Sequence, residues 1–186
     1  MIKKFSVLIK KKIKKFNKTI FVESDKSISH RALLISSQCI GLSNLNGILE
    51  SEDVKNTIIC LKNLGVKILK KDKNYVVYGN GLGSFRKQKN GQLFVGNSGS
   101  LARMLIALLA TQPNLKTKIF GDKSLIKRDM KRIIEPLSKI GCNFYPKGKT
   151  TLPLIIEGTN MPLAQNHVEN IGSAQVKSAI LLAALN

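Results

Sequence analysis

Apolar residues recur at helical spacing in two segments of the chain, residues 51–68 and 126–144. Apolar positions three and four residues apart predict an amphipathic helix in each segment. These positions are Val54, Ile58, Leu61 and Leu64 in the first, and Met130, Ile133, Leu137 and Ile140 in the second. Each predicted helix ends at a glycine suited to a helix C-terminus, Gly65 or Gly141, and the second glycine lies 76 residues after the first.

A second pair of predicted helices precedes this pair. Residues 25–37 and 97–110 both open with small polar residues and continue as apolar helices. Strand-like stretches follow the four helices, at residues 42–49, 66–69, 75–79, 117–125, 142–145 and 152–158. The sequence therefore predicts an α/β fold built from a repeated unit of strand, helix, strand, helix, strand and strand.

A third unit begins near Val168, where small polar residues again open an apolar helix. The sequence ends at Asn186 within that helix. A third copy without its second helix and closing strands would leave an apolar face uncovered. We therefore expect the fold to be incomplete, with the chain truncated in its third unit.

Composition adds a strong positive charge to this picture. The chain of 186 residues contains 31 Lys and Arg against 11 Asp and Glu, a formal net charge of +20. Such a charge attracts nucleic acid, a membrane surface or small phosphorylated metabolites, and composition does not choose among them. Many of these lysines also fit a role as solvated surface residues.

Several classes of protein are disfavoured by the sequence. The cysteines, Cys39, Cys60 and Cys142, lie far apart without CxxC spacing, which argues against a zinc site or a disulfide framework. All three have apolar surroundings in the sequence, so we expect buried free thiols. No apolar stretch reaches the length of a membrane-spanning helix, and no signal peptide is visible. We expect a cytoplasmic protein without a metal.

The candidate chemistry lies at the starts of three predicted helices. Each start has small residues, followed four positions later by a cation. The pairs are Ser27 with Arg31, Gly99 with Arg103, and Ser173 with Lys177. A helix N-terminus offers free N–H donors and the positive end of the helix dipole, so three such starts brought together would form an anion pocket. The alternative is that the serines cap their helices and the cations face solvent.

Three further residues stand close to these helix starts. Lys26 directly precedes Ser27, so its ammonium could reach a ligand at the first helix. Arg128 lies at the corresponding end of the second unit, and a guanidinium suits carboxylate or phosphate. His30 is a candidate general base, but we interpret it as a capping or packing residue.

Four motifs resemble those of the EPSP synthase family, in the same order and with similar spacing. They are DKSISHRALLISS, GNSGSLARML, GDKSLIKRDM and IGSAQVKSAILLA, at residues 25–37, 96–105, 121–130 and 171–183. The resemblance implies transfer of the enolpyruvyl group of phosphoenolpyruvate to the 5-hydroxyl of shikimate 3-phosphate, with release of phosphate and without a metal or cofactor. This reaction belongs to aromatic amino acid biosynthesis, and the Ser-Ala-Gln sequence resembles the class II branch.

The same resemblance implies roles for nine residues. Those expected to bind shikimate 3-phosphate are Lys26, Ser27, Arg31, Ser173, Ala174 and Gln175. Those expected to bind phosphoenolpyruvate are Lys26, Asn97, Gly99, Arg128 and Gln175. Lys26 is also the catalytic residue that the resemblance implies.

The fold that the resemblance implies has two domains, each an inside-out α/β barrel of three βαβαββ units around a pseudo-threefold axis. Residues 1–22 would belong to the other, missing domain, and residues 23–186 would form the N-terminal domain. The missing half would supply an Asp and a Glu for proton transfer. We therefore expect the chain alone to be poorly folded and inactive, and the full-length protein to be a monomer.

Some positions depart from the family pattern. Glu23 and Ser24 replace Pro-Gly, which places an acid near an expected phosphate site, and Asp129 replaces the usual Pro after Arg128. Ser100 replaces a usual Thr, which is conservative. The acidic departures predict a weaker affinity for substrate.

Three alternatives remain at this point. One is a natural half-length protein kept as a binding or assembly partner, against which the end of the sequence within a predicted helix argues. A UDP-N-acetylglucosamine enolpyruvyl transferase would share the fold, but it usually has Lys-Asn where this chain has Lys26-Ser27, and a reactive cysteine in a loop. A nucleic-acid-binding module would fit the charge, but its basic residues would be interleaved with aromatic residues, which are only 5% of this chain.

Overall fold

The computed structural model describes residues 8, 17, 19, 20, 22–72, 74–86 and 90–185. In chain order, its helices are α1 (Lys26–Gln38), α2 (Glu52–Asn63), α3 (Gly99–Ala110), α4 (Lys131–Lys139) and α5 (Ala174–Ala183). Its strands are β1 (Ile40–Leu45), β2 (Lys67–Lys71), β3 (Asn74–Asn80), β4 (Gln92–Phe94), β5 (Lys116–Phe120), β6 (Asn143–Tyr145) and β7 (Leu154–Glu157). A short 3-10 helix lies at Leu125–Lys127.

The two predicted repeats have the same topology. In the first, β3 lies between β1 and β2 and runs antiparallel to both. In the second, β7 lies in the same way between β5 and β6. The second sheet has a fourth strand, since β4 pairs parallel to β5. Among the described residues before α1, none forms a strand, so the strand expected to open the first repeat is not seen there.

The second helix of each repeat ends in the same turn. Gly65 and Gly141 adopt positive φ angles of 89° and 106°, which a residue with a side chain rarely adopts. At the first turn, Val66 N–H donates to the carbonyl of Leu61, and Gly65 N–H donates to that of Lys62. Equivalent bonds close the turn after α4. This is the Schellman motif, so the predicted glycine helix ends are confirmed.

The core is centred on α3. Its sequence is apolar on all sides, as expected of a helix without a solvent face, and Arg103 is its one residue that is not buried. α3 packs against α1, α4 and α5 and against the second sheet. The first helices of three successive units therefore lie side by side, with the helix starts close together.

The predicted α/β class and the repeated unit of helices and strands are confirmed. Cys60 and Cys142 are buried free thiols as predicted, whereas the expectation of burial is wrong for Cys39, which is exposed at the end of α1. The assignment of residues 1–22 to another domain falls mostly outside the described residues and stays a prediction, as does the boundary of the domain at 23–186. In the described part of the chain, no helix has the length and apolar character needed to cross a membrane.

Candidate functional site

The starts of α1, α3 and α5 are capped by side chains. Asp25 Oδ1 accepts the Ile28 N–H at 2.7 Å, Ser98 Oγ accepts the Leu101 N–H at 3.2 Å, and Ser173 Oγ accepts the Val176 N–H at 3.3 Å. Each cap uses one of the free N–H groups of its helix start. Residues at these three helix starts line two neighbouring cavities, which therefore lie at the positive ends of the helix dipoles.

The first cavity, of about 410 Å³, lies between α1 and α5. Its lining residues are Ser27, Arg31, Arg103, Asp129, Arg132, Ser173, Ala174, Gln175 and Val176. Three arginines therefore face a single acid. A site with this balance attracts a phosphate or carboxylate group.

Arg31 joins the first and third units across this cavity. Its Nε donates to Ser178 Oγ at 2.9 Å, and Nη2 donates to the Ala174 carbonyl at 3.3 Å. Nη1 donates to the Ser27 carbonyl at 2.9 Å. All three acceptors are neutral, so these bonds orient the guanidinium without neutralising its charge.

Arg103, on α3, also lines this cavity. It donates to Gln175 Oε1 at 2.9 Å and to the carbonyls of Gly99 and Asp129 at 3.3 and 3.2 Å. Burial, followed by the positive charges of Arg128 and Arg132, lowers the pKa of Arg103. Three guanidinium groups, those of Arg103, Arg128 and Arg132, therefore lie close enough to influence one another.

Arg132, in the first turn of α4, fixes the segment that leads into α5. Its Nη2 forms an ion pair with Glu169 at 2.8 Å and also donates to the Ile171 carbonyl. Hydrogen bonding from Arg132 is the main cause that lowers the pKa of Glu169. These contacts lie just before Ser173, so Arg132 helps to place the start of α5.

The second cavity, of about 330 Å³, lies between α1, α2 and the start of α3. Its lining residues are Lys26, Asp53, Asn97, Ser98, Gly99, Ser100, Arg128 and Gln175. Lys26 Nζ donates to Asp53 Oδ2 at 2.8 Å, and Arg128 Nη2 donates to Asn97 Oδ1 at 2.9 Å. Gln175 lines both cavities, so it lies between their two binding spaces.

Gly99 allows two guanidinium groups to approach the start of α3. A Cβ atom there would lie 2.9 Å from Arg103 Nη1 and 3.2 Å from Arg128 Nη1, closer than carbon normally packs. The absence of a side chain therefore lets the charges of both cavities come close to the free N–H groups of α3.

The nine residues singled out from the sequence all line one of these two cavities. Those of the first are Ser27, Arg31, Ser173, Ala174 and Gln175. Those of the second are Lys26, Asn97, Gly99, Arg128 and Gln175. The structure thus brings them together, while the role expected of each stays a prediction.

The predicted cation of the third helix is not part of this arrangement. Lys177 is exposed and is not among the residues that line either cavity. The cap residues show the reason. Arg31 lies six residues after its cap, Arg103 five and Lys177 four. Successive helix residues are about 100° apart, so the three cations point in different directions.

Sequence reasoning missed several residues that line the cavities. Arg132 and Asp53 were not considered as site residues, and Arg103 was noted only as a cation near a helix start. Arg103 carried a usable signal, because it is the single charge in an otherwise apolar helix. Arg132 and Asp53 carried none, since charged residues in the first turns of exposed helices are common.

The acidic departures from the family pattern separate into two cases. Asp129 lines the first cavity, where hydrogen bonding from Thr150 is the main cause that lowers the pKa of its carboxyl. Glu23 is exposed and lines neither cavity. Of these two departures, only Asp129 therefore places a negative charge beside a cavity. No cluster of three or more His, Cys, Asp or Glu residues suited to a metal occurs in the described part of the chain.

Comparison with known proteins agrees with this geometry. Residues 10–186 match the family of EPSP synthase (3-phosphoshikimate 1-carboxyvinyltransferase). The 3-phosphoshikimate 1-carboxyvinyltransferase of Paramagnetospirillum magneticum is 41% identical over 166 residues, which is 89% of this chain and 37% of the relative. That of Zymomonas mobilis is 40% identical over 180 residues, 96% of this chain and 39% of the relative.

A solved structure shows the same fold. EPSP synthase from Acinetobacter baumannii superposes with a TM-score of 0.82 at 34% identity, covering 89% of this chain and 37% of that protein. The chain thus spans about two fifths of the length of these relatives. On the family match over nearly all of its residues, the chain belongs to the EPSP synthase family.

Proposed function

We propose that this chain provides the first substrate-binding half of a 3-phosphoshikimate 1-carboxyvinyltransferase. The whole enzyme would transfer the enolpyruvyl group of phosphoenolpyruvate to the 5-hydroxyl of shikimate 3-phosphate and release phosphate. The observation that carries the proposal is the pair of adjacent cation-lined cavities that share Gln175. Two anionic substrates that react with each other need two such sites side by side.

The first cavity suits shikimate 3-phosphate. Ser173 and Ala174 would present a hydroxyl and a main-chain N–H to its phosphate, while Ser27 and Arg31 would hold the ring. Arg31 donates hydrogen bonds to Ser27 on α1 and to Ala174 and Ser178 on α5, so it fixes the distance between the starts of these two helices. Arg103 and Arg132 add positive charge to the lining of the cavity.

The second cavity suits phosphoenolpyruvate. Arg128, oriented by Asn97, would bind its phosphate or carboxylate, and the N–H groups at Gly99 would add donors. Lys26 lies next to Ser27 of the first cavity and is held by Asp53, so its ammonium could contact both substrates. Charge that develops during addition and during loss of phosphate would be stabilised by these cations.

The proposal requires a second half, which supplies the remaining groups for proton transfer. This chain's part in the reaction would be to bind and orient both substrates and to stabilise charge. We also propose that the complete enzyme is cytoplasmic and monomeric and does not use nucleic acid as a partner.

A chimera tests the function directly. The chain would be joined to the part of the Zymomonas mobilis relative that follows its matched region. We expect release of inorganic phosphate that depends on both phosphoenolpyruvate and shikimate 3-phosphate, and a loss of at least a hundredfold in Lys26→Met. A folded chimera without such release would contradict the proposal.

The same chimera separates the alternatives. Phosphate release with UDP-N-acetylglucosamine in place of shikimate 3-phosphate would favour the sister transferase. Tight binding of single-stranded RNA with a steep salt dependence would favour a nucleic-acid-binding module instead.

A further inference from the structure

His30 is a fully buried polar residue that no step of the proposed function uses. Its ring has 0% exposure and lies between α1, α2 and the start of α3. Nδ1 lies 2.7 Å from Thr57 Oγ1, and Nε2 lies 3.3 Å from Ser98 Oγ. A buried imidazole with partners on both nitrogens has a fixed orientation.

The directions of the neighbouring hydrogen bonds assign the tautomer. The Thr57 hydroxyl donates its single hydrogen to the Asp53 carbonyl at 3.2 Å, so it accepts from Nδ1–H of His30. Nε2 is then the acceptor and receives the Ser98 hydroxyl hydrogen. Ser98 Oγ in turn accepts the Leu101 N–H at the start of α3.

Both ends of this chain of hydrogen bonds reach the second cavity. At one end, Thr57 donates to the main-chain carbonyl of Asp53, whose carboxylate holds Lys26. At the other, Ser98 caps α3 next to Gly99. Lys26, Asp53, Ser98 and Gly99 all line the same cavity of about 330 Å³, and His30 lies behind its wall.

We propose that His30 is a positioning residue that fixes the Lys26–Asp53 pair relative to the start of α3. One anion can then contact both the Lys26 ammonium and the N–H groups at the start of α3. The ring does not touch the anion. Its effect is on the separation of two groups that do. Only the identity of the anion, phosphoenolpyruvate, rests on the proposed function.

The protonation state of the ring is consistent with this role. Burial is the main cause that lowers the pKa of His30 to about 4, with Lys26 and Arg31 acting in the same direction and Asp53 opposing them. The ring is therefore neutral near pH 7, and Nε2 keeps the lone pair that Ser98 needs.

The first test needs no variant. A long-range ¹H–¹⁵N spectrum of the chain reports which ring nitrogen carries the hydrogen. We expect the Nδ1–H tautomer of a neutral imidazole for His30, unchanged from pH 8 to pH 5. An Nε2–H tautomer, or a ring that titrates near pH 6.5 as a free histidine does, would overturn the proposal.

The second test compares two ligands. His30→Leu removes both hydrogen bonds and leaves Thr57 and Ser98 without their buried partner. We expect its Kd for phosphoenolpyruvate to rise by roughly tenfold, the cost of one disrupted buried polar contact. The Kd for shikimate 3-phosphate should rise by less, under about threefold, because the hydrogen bonds of the His30 ring lead to Thr57 and Ser98 on the side of the second cavity. Of the groups proposed to bind shikimate 3-phosphate, these bonds affect Lys26, through Asp53.

Comparing the change in Kd for phosphoenolpyruvate with that for shikimate 3-phosphate distinguishes positioning from a general role in folding. An equal loss of affinity for both ligands, or no loss for phosphoenolpyruvate, would overturn the proposal. His30→Asn, which keeps a donor near the place of Nδ1, is expected to recover part of the affinity and provides a second variant should the Leu protein not fold. Failure of the Asn variant to exceed the Leu variant in a folded pair would also count against the proposal.

Inorganic phosphate, titrated in parallel, separates this proposal from the proposed function. Suppose that wild type binds phosphate more tightly than His30→Leu does, by the expected factor, but does not bind phosphoenolpyruvate. The proposed function then fails and the positioning role stands. If both ligands bind and neither depends on His30, the function stands and the positioning role fails.

Discussion

Two glycines mark the places where the last strand of each repeat crosses the end of the first helix. A Cβ atom on Gly79 would lie 2.3 Å from the Cys39 carbonyl oxygen and 2.4 Å from that of Ser36. A Cβ atom on Gly158 would lie 2.3 Å from the carbonyl oxygen of Gln112 and 2.5 Å from that of Leu109. Gly79→Ala and Gly158→Ala should therefore be strongly destabilising.

The magnitude follows from the missing space. Carbon and oxygen normally approach to about 3.2 Å, so the strand or the helix end must move by roughly 0.9 Å. Both neighbours are main chain and cannot rotate away. The movement would also strain the hydrogen bond from the Gly81 N–H to the Cys39 carbonyl, 2.9 Å long. Overpacking of this kind costs about 1–3 kcal/mol, and we expect about 3 kcal/mol at each site.

Thermal unfolding followed by circular dichroism measures the effect. For a chain of this size, 3 kcal/mol corresponds to a decrease in Tm of roughly 6–12 °C. Gly172→Ala is the matched control, because a Cβ atom there meets nothing within 4 Å and its φ is not in the left-handed region. A decrease in Tm at Gly79 or Gly158 no larger than at Gly172 would refute the reasoning.

Three further predictions concern the site and its surroundings. Gly99→Ala should displace the guanidinium groups of Arg103 and Arg128, but the Tm should stay within about 2 °C of that of wild type, because the ends of side chains can move. Titration should show weaker binding of both substrates, and unchanged Kd values would contradict this prediction. Asp129→Asn should tighten binding of shikimate 3-phosphate by roughly 1 kcal/mol, since it removes a like charge; calorimetry at low salt checks it, and weaker binding would count against the assignment. The pKa of His30 is about 4 in the folded chain and 6.5 in the unfolded chain, so the free energy of unfolding should decrease as the pH falls from 6.5 to 4, by about 3 kcal/mol in total. Urea unfolding of wild type and His30→Asn should show different pH dependence in this window. Parallel pH profiles of the two proteins would contradict the prediction.

Local signals explain why the repeated unit could be predicted. The turns after α2 and α4 are set by glycines within the segment, and the apolar spacing of each helix is read from consecutive residues. The small polar residues at Asp25, Ser98 and Ser173 similarly mark helix starts, since capping involves only the next few residues. These parts of the fold are determined by residues within short stretches of sequence.

Contacts across long sequence separations could not be predicted in the same way. The parallel pairing of β4 with β5 depends on how α3 packs. The bond between Arg103 and Gln175 joins residues 72 positions apart. The expected role of Lys177 failed because its distance from the cap differs from that of Arg31, and the cap of α1 is Asp25, one residue before the Lys-Ser pair that the sequence pattern emphasised.

The central proposal is that the starts of α1, α3 and α5 line two adjacent cavities, one for shikimate 3-phosphate and one for phosphoenolpyruvate. The most direct test is a titration of ¹⁵N-labelled chain with shikimate 3-phosphate, followed by amide chemical shifts. We predict saturable changes at Ser27, Ser173, Ala174 and Gln175, reduced in Arg31→Gln. Shifts confined to exposed lysines, or no saturable change at these helix starts in a folded chain, would contradict the account.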